Sequence, residues 1–238
     1  GKSLQKMISD GAHFVAMTRS IHENLLKAGI PLEKITKIPN GIAITGKVKS
    51  ESRMEGPAKV LFVGNLYQQP AKGVDILLNA WCIVHQQFGD AVLEIVGDGV
   101  TPEYNEIIKR LKIDEVVRLL GKQSDVRKYY EAADIFVLPS RREGMSNALL
   151  EAMMQGIPPV ATDISGSQDL IMNGINGILV PPMNVEELAA GICYLLSNPG
   201  MARLFGEKAR NTIIKEYDIV TVTEKYIALY RNLTERNG

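Results

Sequence analysis

The amino-acid sequence predicts an α/β fold in which helices cover both faces of a parallel sheet. Short apolar runs recur after residue 58, and segments with apolar residues at helical spacing, such as VDILLNAWCIVHQQF and EYNEIIKRLK, separate them. The predicted strands are 59–63, 91–96, 116–120, 134–139, 158–162 and 177–181. Strands that are apolar throughout and alternate with helices are typical of a doubly wound, Rossmann-like sheet, whose ligand binds beyond the carboxyl ends of the strands.

The first 45 residues do not fit this sheet. They contain a predicted helix, an apolar run at 13–17 and a second helix, and they precede a polar stretch with glycine and lysine. We expect the strand at 13–17 to lack partners in a sheet of its own, which is typical of the end of another domain. The predicted organisation is a remnant of an N-terminal domain at 1–45, a linker at 46–58, the Rossmann-like domain at 59–216 and a C-terminal helix at 217–238.

Composition limits the classes of partner. The 238 residues are 45% hydrophobic and 23% charged, and the formal net charge is zero, so nothing in the overall charge favours nucleic acid. The two cysteines, Cys82 and Cys193, are far apart in sequence, and we expect reduced thiols in the core. The histidines His13, His22 and His85 have no carboxylate or cysteine at metal-binding spacing.

Targeting and membrane signals are also missing from the sequence. No apolar run approaches the ~20 residues that a spanning helix needs, and the chain does not begin with a signal peptide. The sequence therefore predicts a cytoplasmic protein, and it leaves open a peripheral contact with the inner face of the membrane.

The stretch REGMSNALLE contains the first candidate site. It follows the apolar run DIFVLP, so residues 141–145 are predicted to form the loop after a strand, with Ser146 or Asn147 as the N-cap of an apolar helix. The free N–H groups at a helix start favour an anion such as a pyrophosphate. Glu143 lies in the loop and Glu151 lies one turn after Asn147, so two carboxylates bracket the anion. Because carboxylates accept hydrogen bonds from sugar diols, the combination predicts a nucleotide sugar as ligand.

A second candidate site lies in VGNLYQQPAKG, after the first strand of the sheet. Gly64 would let the backbone approach a phosphate closely, and Lys72 would neutralise its charge. Two further loops of small residues, EIVGDGV and TDISGSQD, follow later strands and are expected at the same edge. The GDG segment, Gly97 to Gly99, lacks the G-x-G-x-x-G spacing and is predicted to be an ordinary turn.

The apolar helix and the aromatic residues give two further expectations. Glu151 interrupts an otherwise apolar helix, where an unpartnered carboxylate is costly, so we expect a partner or a ligand hydroxyl beside it. Trp81, Tyr129 and Tyr130 are predicted to pack on helices rather than to form a stacking platform.

The order of these motifs resembles the C-terminal, nucleotide-sugar-binding half of retaining GT-B glycosyltransferases, of the family 4 type that includes sucrose and α-mannosyl transferases. Its most specific part is the E-x7-E pattern, here Glu143-GMSNALL-Glu151, between DIFVLPS and AMMQGIPPVATD. The segments NGINGILVPP and VGN…KG agree with the family in order and spacing. The resemblance extends from IPNGI to the closing helix and implies that the doubly wound sheet is the C-terminal half of a GT-B fold.

The resemblance also implies a role for each site residue. Glu143 would bind hydroxyls of the donor sugar, Glu151 the ribose diol and Lys72 the diphosphate. Glu143 and Lys72 are the implied catalytic residues, and Glu143 is assigned no nucleophilic role. The other implied donor-binding positions are Gly64 and Asn65 near the phosphates, Gly121 and Lys122 near the base, and Gly144, Met145, Ser146 and Asn147 near the sugar and phosphates.

The implied activity is transfer of a glycosyl group from a UDP- or GDP-type sugar to an unidentified acceptor, a glycan or a lipid-linked molecule, as in polysaccharide biosynthesis. No metal and no other cofactor is expected, because protein cations and helix dipoles stabilise the leaving nucleoside diphosphate. An N-terminal domain outside this sequence would bind the acceptor. The isolated chain is therefore expected to bind nucleotide weakly and to be inactive.

Two departures from the family pattern bear on this function. The family usually has an arginine after the loop glycine, as in VGR, whereas this chain has Asn65; Arg141 or Arg142 is the candidate replacement for that cation. The loop usually written GG-x-PE is SGSQD here, which keeps Gly166 and shortens the carboxylate to Asp169. The alternatives are a nucleotide-sugar-binding or interaction module without catalysis, which Asn65 favours, and a GT-B-shaped sugar-nucleotide epimerase, which would need an acid/base pair from the missing half.

Overall fold

The computed structural model describes residues 2–9, 11–44, 56–67 and 70–235. Most of the predicted linker, residues 46–55, lies outside the described residues. The helices are α1 (Lys2–Ser9), α2 (Arg19–Lys27), α3 (Val74–Gln87), α4 (Pro102–Leu111), α5 (Arg127–Ala132), α6 (Asn147–Met154), α7 (Ser165–Gln168), α8 (Val185–Ser197), α9 (Pro199–Glu216) and α10 (Ile219–Glu235). The strands are β1 (Phe14–Ala16), β2 (Ile35–Lys37), β3 (Lys59–Val63), β4 (Val92–Val96), β5 (Val117–Gly121), β6 (Ile135–Leu138), β7 (Pro159–Thr162) and β8 (Ile178–Val180).

Strands β3 to β8 form one parallel sheet in the order β5-β4-β3-β6-β7-β8. All six strands predicted after residue 58 are therefore confirmed, with ends that differ by at most one residue. The chain winds outward from β3 to β5, returns to β6 beside β3, and then winds outward to β8. Because the winding direction reverses between β3 and β6, the loops that follow these two strands face a common crevice.

Apolar layers cover both faces of this sheet, as the sequence predicts. In β3, Val60 and Phe62 belong to a core cluster that contains Trp81 of α3. Leu61 belongs to the cluster on the opposite face, with Leu149 of α6. The alternation follows from the two-residue repeat of a strand, and all five side chains are buried. Trp81 is therefore a packing residue, in agreement with the sequence-based prediction.

The N-terminal segment forms a small unit around a two-stranded parallel sheet. Strand β1 pairs with β2, so that Phe14 lies beside Ile35 and Ala16 beside Lys37. The expectation that the strand at 13–17 lacks a partner is wrong. The sequence Ile-Thr-Lys of β2 contributes one buried residue, Ile35, and neither an apolar run nor a clear alternation marks it as a strand.

The C-terminal helix α10 packs on this N-terminal unit. Ile38, which follows β2, is fully buried and shares a small core with Val222 and Leu229 of α10. The backbone adds a second link, because Ile42 N donates to Tyr217 O at 2.8 Å. The N-terminal unit is thus held to the C-terminal end of the chain by side-chain packing and by a backbone hydrogen bond.

Asp169 joins the N-terminal unit to the large domain. Its carboxylate, on a side chain that is 4% exposed, accepts hydrogen bonds from Arg19 N at 2.8 Å and from Lys37 Nζ at 3.0 Å. Its carbonyl oxygen accepts a hydrogen bond from the Tyr217 hydroxyl at 2.7 Å. Burial raises the pKa of Tyr217 to about 12, so this hydroxyl remains a donor at neutral pH. The shortened carboxylate of the SGSQD loop therefore binds two segments of the N-terminal unit.

Candidate functional site

Two loops meet where the winding of the sheet reverses. The lysine loop comprises the described residues 64–67 and 70–73, between β3 and α3, and the glutamate loop comprises residues 139–146, between β6 and α6. They are joined directly, because Arg141 N donates to Ala71 O at 2.8 Å. The predicted crevice is therefore bounded by the two loops in which the sequence places its charged candidates.

Glycine contacts hold the backbone of these loops close together. Gly73 has a left-handed φ of 66°, and a Cβ at this position would stand 2.0 Å from Pro139 O in the glutamate loop. A Cβ on Gly97 would stand 1.7 Å from Gly64 O, and Gly97 N donates to Gly121 O at 3.0 Å. Since only glycine fits such contacts, the loops after β3, β4 and β5 form a continuous edge of closely spaced backbone.

The sequence-predicted residues Lys72 and Glu143 are in direct contact. Lys72 Nζ donates to Glu143 Oε2 at 2.6 Å, and the side chains are only 14% and 17% exposed. Ser140 Oγ lies 3.4 Å from the same carboxylate oxygen. A charge-assisted hydrogen bond of this length fixes the geometry of both groups. The candidate cation and the candidate sugar-binding carboxylate therefore occupy one point of the crevice.

Arg141 does not provide a spare cation. Its guanidinium binds both carboxylate oxygens of Asp75, in the first turn of α3, at 2.9 and 2.7 Å, and it also donates to the carbonyl of Pro70. Burial acts to raise the pKa of Asp75, but the hydrogen bonds and charge of Arg141 outweigh it, and the pKa lies below its ordinary value. Asp75 therefore stays ionised at neutral pH and compensates the charge of Arg141. Of the two candidate replacements for the family arginine, the exposed Arg142 is the one without an ion-pair partner among the described residues.

Asn65 closes a local turn instead of supplying a charge. It is exposed, and its Oδ1 accepts a hydrogen bond from Tyr67 N at 2.9 Å, which is the geometry of an Asx turn. An arginine side chain has no acceptor for this bond. Lys122, predicted to lie near the base, is also exposed and directly follows the end of β5.

Ser146 is the N-cap of α6. Its Oγ accepts a hydrogen bond from Leu149 N at 3.4 Å. Asn147, the other candidate, is the first helical residue and is exposed, and its Oδ1 accepts a hydrogen bond from Asn40 Nδ2 at 3.0 Å. Met145 is 7% exposed and packs in the core, so only its backbone is suited to contact a ligand.

Glu151 has a protein partner, which sequence reasoning did not identify. The hydroxyl of Tyr130 in α5 donates to Glu151 Oε2 at 2.8 Å. Tyr130 is 2% exposed and packs in the core, as predicted, but it also makes this polar contact. Burial, and then the charge of Glu151, raise the pKa of Tyr130 far above its ordinary value, so the hydroxyl stays protonated. The unusual position of a carboxylate on an apolar helix was the signal that a partner exists.

Gly166 of α7 lies against the backbone of the glutamate loop. A Cβ on Gly166 would stand 1.5 Å from the carbonyl oxygen of the exposed Gly144 and 3.2 Å from that of Glu143. The SGSQD loop therefore supports the glutamate loop through a contact that any side chain at position 166 would break.

The variant Gly166→Ala is expected to lower the free energy of unfolding by about 1–3 kcal/mol, because α7 or the glutamate loop has to move. Urea unfolding followed by circular dichroism measures this change. Gly200→Ala is the matched control, since a Cβ at that position meets no atom within 4 Å. Equal unfolding midpoints for Gly166→Ala and the wild type would contradict the contact.

The described part of the chain has neither a metal-binding cluster nor a membrane-spanning helix. Those residues contain no group of three or more histidine, cysteine, aspartate or glutamate side chains placed to hold a metal ion. Their helices include none that is both long and apolar enough to cross a membrane. Cys82 and Cys193 are free thiols, half-buried and buried respectively.

Comparison with known proteins identifies the family. A family profile described as glycosyl transferases group 1 matches residues 57–198, which include the large sheet and both loops of the site. The chain therefore belongs to the glycosyl transferases group 1 family. Its sheet and flanking helices form a GT-B domain of the family 4 type, and the resemblance to this family inferred from the sequence is confirmed.

Individual relatives agree with this assignment. An uncharacterized glycosyltransferase from Haemophilus influenzae is 34% identical over 70% of this chain and 47% of that protein. The UDP-Gal:α-D-GlcNAc-diphosphoundecaprenol α-1,3-galactosyltransferase from Escherichia coli is 26% identical over 83% of this chain and 54% of that protein. A TarM mutant from Staphylococcus aureus, crystallised with fondaparinux, α-GlcNAc-glycerol and UDP, is similar with a TM-score of 0.80 and 26% identity, over 92% of this chain and 43% of that chain. The chain spans about half the length of the curated relatives that it matches.

Proposed function

We propose that this chain is the donor-binding part of a retaining glycosyltransferase that transfers a sugar from a nucleoside diphosphate to an acceptor. The observation that carries the proposal is the pairing of Lys72 with Glu143 in the crevice between β3 and β6, with Glu151 one turn into the helix that starts there. Doubly wound sheets bind nucleotides at this point of their topology. Two similar proteins support a UDP-type donor: the E. coli galactosyltransferase is named for UDP-Gal, and the TarM mutant is in complex with UDP.

Each charged side chain of the site has a separate role in donor binding. Lys72 Nζ neutralises the diphosphate and stabilises it as the leaving group. Glu143 accepts hydrogen bonds from hydroxyls of the donor sugar, and Glu151 accepts them from the ribose diol. The N–H groups at the start of α6 add positive potential near the phosphates. No protein nucleophile is assigned.

The ion pair between Lys72 and Glu143 gives this site a preference for the intact donor. A diphosphate that binds Lys72 replaces the contact with Glu143 at 2.6 Å, so the carboxylate loses its partner in a largely buried position. Sugar hydroxyls can then bind Glu143. A nucleotide sugar provides a partner for both side chains, since its diphosphate binds Lys72 and its hydroxyls bind Glu143. A bare nucleoside diphosphate provides a partner for Lys72 alone.

The alternative is a nucleotide-sugar-binding module without catalysis, and the environment of Asn65 favours it. The family arginine is replaced by a turn-forming residue, and Arg141 is already bound to Asp75. Asn65→Arg in the full-length protein distinguishes the two functions. A gain in donor affinity and activity would support a site that lost catalysis when it lost the arginine. No gain would show that the site does not depend on a cation at position 65.

The acceptor and the location complete the proposal. A glycan or a lipid-linked acceptor would bind to parts of a longer protein outside this chain. Metal independence, a cytoplasmic location and contact with the inner face of the membrane stay predictions.

The variant Glu151→Ala tests the assignment of the ribose contact. Loss of hydrogen bonds to a carboxylate is expected to weaken nucleotide binding about 10- to 100-fold, measured by calorimetric titration of this chain. Glu224→Ala, which removes an exposed carboxylate from α10, is the matched control and should bind as the wild type does. An unchanged dissociation constant in Glu151→Ala, with the fold retained, would remove the ribose role.

A further inference from the structure

We infer that Tyr130 is a positioning residue for the nucleotide ribose, because it holds the carboxylate of Glu151 in the orientation in which that group accepts the ribose hydroxyls. The inference rests on the proposed function, since it requires Glu151 to contact the ribose. It adds a residue that the sequence predicts to be a packing side chain only.

Tyr130 and Glu151 lie on different helices and meet through one hydrogen bond. The hydroxyl of Tyr130 in α5 donates to Glu151 Oε2 at 2.8 Å, and Ala148 O is a second acceptor at 3.4 Å. The tyrosine ring is 2% exposed and packs at a tilt against Phe136 of β6, with the ring centroids 6.1 Å apart. Because a closely packed ring keeps one orientation, its hydroxyl fixes the position of the carboxylate.

This hydrogen bond leaves acceptor positions of Glu151 for a ligand. An ionised carboxylate has two oxygens with about four acceptor positions. Tyr130 occupies a position on Oε2, and among the described residues none donates to Oε1. Glu151 is half-buried, so its carboxylate lies between the core and the surface. A ribose diol presents two hydroxyl donors on neighbouring carbons and matches the remaining acceptors.

Tyr130 acts through Glu151 and does not itself contact the nucleotide. Its side chain belongs to the core on the face of the sheet that α6 covers, together with Leu149 and Met153. Its hydroxyl also has a fixed role as donor, because it remains protonated beside the carboxylate. Loss of this hydroxyl would leave Glu151 free to rotate, and the carboxylate would then have to be ordered by the ligand.

The test compares UDP with 2′-deoxy-UDP, and GDP with 2′-deoxy-GDP, by calorimetric titration of this chain. The wild type should prefer the ribonucleotide, and Tyr130→Phe should lose about five- to tenfold of that preference, with a smaller loss of affinity for the deoxynucleotide, which keeps only the 3′-hydroxyl. In a Glu151→Ala background, Tyr130→Phe should change the preference no further. Tyr104→Phe is the matched control, because Tyr104 is 1% exposed and its hydroxyl has no partner among the described residues.

The outcomes separate this inference from the proposed function. A wild type that prefers the ribonucleotide, with the same preference in Tyr130→Phe, would overturn the positioning role and leave the proposed function intact. A loss of stability in Tyr130→Phe without a change in that preference would equally assign Tyr130 to packing alone. A wild type that binds the ribo- and deoxynucleotide equally would remove the ribose role of Glu151 and the inference with it. No binding of either nucleotide, by this chain and by the full-length protein alike, would remove the proposed function as well.

Discussion

Replacement of Lys72 by methionine is expected to weaken the binding of a nucleoside diphosphate about 10- to 100-fold. A hydrogen bond to a charged group contributes about 1.5–3 kcal/mol, and each 1.4 kcal/mol corresponds to about a factor of ten in affinity. Methionine keeps the apolar stem and removes the cation, which in the structure is compensated by Glu143 at 2.6 Å. Calorimetric titration of this chain with the nucleotide that it binds measures the effect.

The controls for Lys72→Met separate a local effect from a general loss of charge. Lys225→Met removes an exposed cation from α10 and should leave the affinity unchanged. The double variant Lys72→Met with Glu143→Gln removes both members of the ion pair, so no uncompensated carboxylate remains in the crevice. If Lys72→Met binds the diphosphate as tightly as the wild type, Lys72 does not contact the phosphates.

The variant Glu143→Gln is expected to weaken binding of the sugar conjugate without weakening binding of the bare nucleoside diphosphate. An amide accepts hydrogen bonds from sugar hydroxyls more weakly than a carboxylate, so binding of the nucleotide sugar should fall about 10-fold. Binding of the bare nucleoside diphosphate should stay the same or tighten, because Lys72 no longer has a competing anion at 2.6 Å. Parallel titrations with the two ligands measure the ratio of their affinities.

A matched substitution elsewhere controls for the loss of one negative charge. Glu224→Gln changes an exposed carboxylate on α10 and should alter neither affinity. If Glu143→Gln lowers the affinity for both ligands by the same factor, Glu143 does not contribute to recognition of the sugar. Its assignment to the sugar hydroxyls would then be wrong.

Much of the fold follows from local patterns in the sequence. The strands β3 to β8 are short runs that are almost wholly apolar, as in KVLFV and VLEIV, and the helices between them have clear helical spacing. Strand β2 could not be found in this way, because Ile35 is its only buried residue. Its pairing with β1 and the packing of α10 on Ile38 depend on tertiary contacts between distant segments.

Part of the candidate site could also be predicted from the sequence, because the predicted parallel sheet fixes which loops lie at the same edge of the sheet. A general rule of sheet topology brings the loops of Lys72 and Glu143 together, and the two side chains touch. The contact between Tyr130 and Glu151, 21 residues apart, depends on how α5 packs beside α6, which periodicity does not specify. Likewise, the sequence made Arg141 a candidate to replace the family arginine, and only the structure shows that its guanidinium is bound to Asp75.

Calorimetric titration of this chain with UDP, GDP and ADP in turn, in buffer that contains a metal chelator, tests whether the crevice binds a nucleotide. Saturable binding of one nucleotide, with one site per chain, is the expected result. No saturable binding of any of the three at millimolar concentration, by this chain and by the full-length protein alike, would contradict the assignment of the crevice as a nucleotide-sugar site.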